Sequence, residues 1–187
     1  MPPKVTYTEI DIINAAYEIV REHGTQELSA RRVAQKLGCS TRPVYSYFKS
    51  MADLEMAVLE IVKALLMQYT KKMYTEKVFL NMGTGLTLFA RDENQLFKVL
   101  FLQGNDFKFI VDEFLNRLTE NMKNDSRFTH MRLEDRMALL DKMWTYTFGL
   151  ATLVCMGLFN DPSQKNIVNN LLEIGGLVIG PALAKEA

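Results

Sequence analysis

The chain has 187 residues, 48% hydrophobic and 24% charged, a globular composition that excludes a disordered or fibrous protein. Its 22 Lys and Arg balance 22 Asp and Glu. Zero net charge argues against coating nucleic acid or membrane by bulk electrostatics, so any nucleic-acid site must be a local patch.

Apolar residues recur at spacings of three and four, and alternation is rare. That pattern predicts an all-α protein of about nine helices. The first is expected over about 8–23, with Thr8 and Asp11 at capping-box spacing and Gly24 as its stop. A short second helix runs from its N-cap, Ser29, to Leu37, and Gly38 ends it. A third starts at Ser40 or Thr41 and ends near Phe48. Pro43 falls in its first turn, where the missing N–H costs nothing. Ser50 and Asp53 then cap a fourth helix that extends to about Tyr74.

Further helices are expected at 76–91, 93–103, 106–123, 133–159 and 162–184. The last should open with Asp161 as N-cap, Pro162 in the first helical position and Gln164 at the capping-box position. Residues 124–132, NDSRFTHMR, read as a loop. Between Met143 and Asn160 lie 18 consecutive uncharged residues, the lower edge of a membrane span. Threonines, Tyr146 and Asn160 dilute that run and no basic cluster flanks it. It reads better as a helix buried on all sides in a protein assembly, with no membrane partner.

Two short helices joined by a Gly-containing turn make a helix-turn-helix unit, here Ser29 to Phe48. Its second helix would enter the DNA major groove with its N-terminal residues. Arg42 can donate two hydrogen bonds to a guanine edge, and Val44 can pack on a thymine methyl. Between Thr25 and Lys49 there are five Lys/Arg (Arg31, Arg32, Lys36, Arg42, Lys49) against one acid, Glu27, a local charge of +4. A neutral protein with one basic end suits a localised DNA patch. Short capped helices also occur in any α bundle, and five cations can form a solvated face.

The stretch AAYEIVREHGTQELSARRVAQKLGCSTRPVYSYFKSMADL resembles the N-terminal domain of the tetracycline-repressor (TetR) family of transcriptional regulators. The pattern here is Gly24, Ser29-Ala30-Arg31-Arg32-Val33-Ala34, Gly38-Cys39-Ser40 and Tyr45-Ser46-Tyr47-Phe48, then Ser50 to Leu54. The resemblance implies base contacts from Thr41, Arg42 and Val44. It implies backbone contacts from Arg31, Ser40, Tyr45, Tyr47 and Lys49. It also implies a homodimer on a palindromic operator in double-stranded DNA, with a helical C-terminal domain that dimerises and binds a small-molecule inducer. The expected division is a DNA-binding domain over 1–50 and a ligand-binding and dimerisation domain over 51–187, connected by helix 51–74. Arg32 departs from the family pattern, where an acid is common. Phe148 stands where members often carry His.

The C-terminal part, read alone, gives helix 133–159 two apolar stripes. One holds Met137, Leu140, Trp144, Phe148, Ala151 and Cys155. The other holds Leu139, Met143, Tyr146, Leu150, Leu153 and Gly157. Two apolar faces need two partners, and an isologous dimer through helices 133–159 and 162–184 supplies the second. Phe89, Phe97, Phe101, Met122, Trp144 and Phe148 are candidates to line a pocket for an apolar or aromatic ligand, or else to form core.

Cys39 and Cys155 form no CxxC pair, and His23 and His130 have no ligand partner at helical spacing. No metal or cofactor is expected, and no catalytic motif is present. The cysteine usage and the absence of an apolar leader in MPPKVTYTE suit a cytoplasmic protein. The sequence thus points to a ligand-responsive DNA-binding repressor. The alternative is a helical ligand- or partner-binding protein of the same fold that binds no operator.

Overall fold

A computed structural model of the chain describes residues 7–103, 111–112, 115–116, 118–120 and 122–184. All regular structure among them is helical, as the spacing predicted. The helices are α1 (Glu9–His23), α2 (Ala30–Leu37), α3 (Arg42–Tyr47), α4 (Met51–Lys71), α5 (Val78–Asp92), α6 (Asn94–Phe101), α7 (Leu133–Cys155) and α8 (Gln164–Ala184). Within the expected helix 106–123, residues 111–112, 115–116 and 118–120 are helical. Its other residues lie outside the described ones, apart from Met122 and Lys123, which open a 3-10 turn.

Local chemistry sets the early boundaries. Thr8 and Asp11 form a reciprocal capping box at α1, and Ser50 and Asp53 form another at α4. Gly38 adopts φ 69°, ψ 33°, the left-handed cap that only glycine enters without strain, and the Cys39 N–H closes the end on the Ala34 carbonyl at 2.9 Å. Between the last residue of α3 and the first of α4 stand only Phe48, Lys49 and Ser50, and Phe48 is buried.

Later boundaries differ from the sequence reading where distant groups intervene. Helix α4 stops at Lys71, short of Tyr74, because buried Asn81 from α5 captures the next segment. Its Oδ1 accepts from the Tyr74 and Thr75 N–H groups at 3.2 and 2.8 Å, and its amide donates to the Thr75 carbonyl at 2.8 Å. Removing that side chain takes the partner from three partly buried backbone groups. Asn81→Ala should therefore cost about 2–4 kcal/mol, measured by denaturant unfolding. Helix α8 starts at Gln164, later than expected. Ser163 is the capping side chain, its Oγ accepting from the Asn166 N–H at 3.3 Å. Asp161 is used one step earlier, accepting from the Ser163 N–H at 3.0 Å. The expected loop 124–132 contains a 3-10 turn, Ser126–Phe128, and Phe128 is fully buried, edge-on to Phe79 at 5.3 Å.

One continuous apolar core runs from Ile12, Ala16 and Val20 of α1 through Leu54 and Val62 of α4 to Phe89, Leu96 and Phe97. Helix α5 is central, packing on α4, α7 and α8. Its crossing with α4 is so close that a Cβ at Gly85 would sit 2.7 Å from Thr70 Cα and closer still to the Tyr69 carbonyl. At the α5–α6 corner, Glu93 accepts two hydrogen bonds of 2.7 Å from the Arg21 guanidinium of α1. Gly24, with φ 84°, ends α1 against the Gln95 side chain of α6.

The uncharged run 143–160 is mostly the second half of α7, and no helix among the described residues is long and apolar enough to cross a membrane. Leu139, Leu140, Met143, Leu150, Ala151 and Cys155 of α7 are buried. Leu150, placed on the second stripe, belongs to a cluster with Leu88, Val154, Ile167 and Leu171 of the same chain. The exposed face of α7 instead carries Gly149, Leu153 and Met156. Burial raises the Cys155 thiol above its ordinary pKa, which suits an inert core thiol.

Candidate functional site

The residues proposed to meet DNA sit on α2, on the turn after it and on α3. Ser29 caps α2 by accepting from the Arg32 N–H at 3.3 Å. That start leaves Arg31 and Arg32 exposed and buries Val33 and Ala34. Arg32 pairs with Glu27 at 2.8 Å, and Lys36 lies 4.0 Å from Glu22. Arg31, Arg42 and Lys49 are exposed and have no carboxylate partner among the described residues. Of the five cations of this segment, the structure therefore neutralises two and leaves three open. The departure from the family pattern at Arg32 is accounted for by its ion pair to Glu27.

The turn leaves Ser40 and Thr41 exposed, and the Thr41 hydroxyl makes no capping bond to α3. Pro43 occupies the first turn of α3. Arg42 and Tyr45 point outward, and Tyr45 is 58% exposed. Tyr47 is exposed too, and its hydroxyl donates to the Tyr7 carbonyl at 3.2 Å. Tyr7 in turn donates to the Leu37 carbonyl at 2.6 Å, tying the residues before α1 to both helices of the unit. Tyr7 went unnoticed in the sequence because nothing in MPPKVTYTE marks it.

Val44 is a correction. It is fully buried and, with Phe48, anchors α3 in the core, so it cannot pack on a thymine methyl. The signal was present: Val44 and Phe48 stand at i and i+4, the spacing of one helical face.

Of the six pocket candidates, four belong to the buried core, and Trp144 and Phe148 pack against it. Phe89, Phe97, Phe101 and Met122 are fully or almost fully buried. Phe97 and Phe101 of α6 pack on Phe148 of α7 at 5.9 and 5.8 Å between ring centroids, and Phe148 stacks on Trp144 at 5.1 Å. Phe89 meets Tyr69 edge-on at 5.6 Å. These rings pack on one another between α6 and α7. A cavity of about 270 Å³ lies on another side of α5, between α5, α7 and α8. Of the six candidates only Trp144 lines it. Its walls include Phe79, Met82, Leu86, Leu140 and Ile179, and among the described residues Lys77 and Arg127 are the charged ones.

Arg127 is held in place by Asp125, whose carboxylate accepts at 2.9 and 2.6 Å and also takes the Phe79 N–H at 3.4 Å. Burial pushes the Asp125 carboxyl up, but the Arg127 guanidinium and the backbone donors outweigh it. The group is left below the usual carboxylate range and ionised at neutral pH. Among the described residues no cluster of His, Cys, Asp or Glu could hold a metal ion.

Residues 12–58, spanning α1 to the start of α4, match the family model for bacterial regulatory proteins of the tetR family. This part of the chain belongs to the tetR family. No curated protein sequence matches the chain. Solved structures extend the likeness beyond the TetR domain, at the level of fold. A tetR-family transcriptional regulator from Streptomyces coelicolor is 14% identical with a TM-score of 0.72, over 94% of this chain and 86% of that one. SmeT, the repressor of the Stenotrophomonas maltophilia multidrug efflux pump SmeDEF, is 16% identical with a TM-score of 0.61, over 91% and 89%. RolR in complex with its ligand resorcinol is 17% identical with a TM-score of 0.56, over 94% and 90%. The whole chain thus has the fold of a TetR-family transcriptional regulator.

Proposed function

We propose that the protein is a homodimeric repressor that binds a palindromic operator through its TetR domain and is released by a small apolar or aromatic ligand. The observation that carries the DNA half is the charge pattern of the helix-turn-helix. Arg31, Arg42 and Lys49 are unpaired among the described residues, while Arg32 and Lys36 face carboxylates. In this reading Thr41 and Arg42 reach base edges. Arg31, Ser40, Tyr45, Tyr47 and Lys49 hold phosphates, and Val44 supports α3 from beneath.

The ligand half rests on the cavity and on how α5 continues from it. Helix α5 lines the cavity from Phe79 to Leu86, and its far end, about 9 Å beyond Leu86 by helical rise, adjoins Glu93 and its clamp on Arg21 of α1. A ligand that favours one placement of α5 over another, and of α4 packed across it, would reset the DNA-binding helices without touching DNA.

Selection of bound sites from random double-stranded DNA tests the first half. A recovered palindrome supports it, and absence of any enriched site favours a protein of this fold without an operator. On the recovered site, Arg42→Ala should cost about 1–3 kcal/mol and relax preference at one position per half-site. Lys49→Ala should instead weaken all sequences alike and make the salt dependence shallower by about one unit per half-site. If Arg42→Ala lowers binding equally on all sequences, Arg42 is a phosphate contact and not a base reader.

A further inference from the structure

The cavity has a chemical polarity that narrows what it can hold. Its interior is apolar, built by Met82, Leu86, Leu140, Met143, Ile179 and Trp144. Among the described residues its charged lining residues, Lys77 and Arg127, are both cations. Lys77 is exposed and has no carboxylate partner among the described residues. Arg127 is fixed by Asp125, and among the described residues the two cations against that single carboxylate leave the rim with a surplus of one positive charge. Helix α5 begins at the same rim, and the Asp125 carboxylate takes its Phe79 N–H at 3.4 Å, which fixes Arg127 beside the start of the helix.

An apolar interior with a cationic edge satisfies a molecule that is apolar along its body and negative at one end. A neutral hydrocarbon would leave the rim unused, and a dianion would exceed its charge. We propose that the cavity binds an amphipathic monoanion, a single carboxylate or similar group on an alkyl or aryl body, with the head at Lys77 and Arg127 and the body against Trp144. At about 270 Å³ the space lies just under the ~300–1,000 Å³ usual for ligand pockets, which suits a small or medium-chain acid. The proposal rests on the ligand-responsive reading above and names the ligand class for it.

The sequence contains a single tryptophan, Trp144, and it lines the cavity, so its fluorescence reports occupancy with no DNA present. Full-length protein is titrated with decanoate and, in parallel, with decan-1-ol. Decanoate should bind roughly tenfold more tightly, the scale of one charge-assisted hydrogen bond. Added salt should weaken decanoate and spare the alcohol. Lys77→Met should bring the two affinities close together, and Lys77→Glu should reverse their order. Lys77 is exposed, so both variants retain the fold, checked by circular dichroism. Equal or tighter binding of the alcohol to the wild type, or a preference for decanoate unchanged in Lys77→Met, overturns the proposal. Operator binding is followed separately by anisotropy. Decanoate that binds with the expected preference yet leaves operator affinity unchanged supports the site and counts against ligand-controlled release. Decanoate that releases operator without quenching Trp144 or depending on Lys77 overturns the site and leaves that release standing.

Discussion

Leu153→Arg should turn a dimer into monomers, with operator affinity falling by roughly 10²–10⁴-fold as the two half-sites are no longer engaged together. Leu153 is 44% exposed on an α7 face that also carries Gly149 and Met156. Helix α8, packed beside α7, exposes Leu172, Gly176 and Leu177. A second copy meeting this surface about a two-fold axis would bury the same residues from both sides. Each substituted chain then brings its own arginine to the contact, so one change places two unpaired cations in an apolar interface. Leu133→Arg is the control, because Leu133 is equally exposed but lies at the opposite end of α7 from that patch. Sedimentation should give monomers for the first variant and dimers for the second, with helical content unchanged in both. A Leu153 variant that sediments as a dimer would place the interface elsewhere.

Gly85→Ala should be among the most destabilising single changes available, although it adds one methyl group. The added Cβ would meet the Tyr69 carbonyl and Thr70 Cα, which are backbone atoms of α4 and cannot rotate away. The helices must separate, and overpacking that moves backbone costs about 3 kcal/mol or more. Against a total stability of about 5–15 kcal/mol for a protein domain, that loss lowers the melting temperature by several degrees. Gly83→Ala, on the same helix, should be tolerated. Its Cβ would meet Leu171 and Thr147 at 3.5 Å, an ordinary contact, and helix propensity gains about 1 kcal/mol. Thermal melts of both variants decide the matter. If Gly85→Ala melts with the wild type, the α4–α5 crossing is looser than described.

What could be read in advance follows the range of the forces. The capping boxes at Thr8 and Ser50 and the stop at Gly38 are settled within four residues, and sequence placed them correctly. The end of α4 depends on Asn81, a residue of the next helix, and nothing near Tyr74 announces it. The start of α8 failed for a subtler reason. Asp161 and Ser163 are both competent caps, and which one serves depends on where α8 docks. Exposure of Arg42 and Lys49 was legible from their charge, and burial of Val44 was legible from its partner Phe48. The cavity was not. Phe97 and Met82 are alike in sequence, and only packing decides that one fills space while the other borders it. Nor could spacing have shown that Asp125 would sit beneath Arg127 and bond to α5.

The three-residue join between α3 and α4 has a consequence for handling the protein. Phe48 is buried, Lys49 is flanked by ordered backbone, and Ser50 is locked into the capping box of α4. Proteases need a stretch of chain that can leave the surface and enter their cleft, and such stretches are found at exposed loop tips and frayed ends. This join offers neither. Limited digestion should therefore spare it, and the first fifty residues should not be released as a free fragment. A gene fragment ending at Ser50 would in addition lose the apolar surface that Leu54 and Val62 present to α1. The DNA-reading end is best transplanted, labelled or expressed with α4 attached.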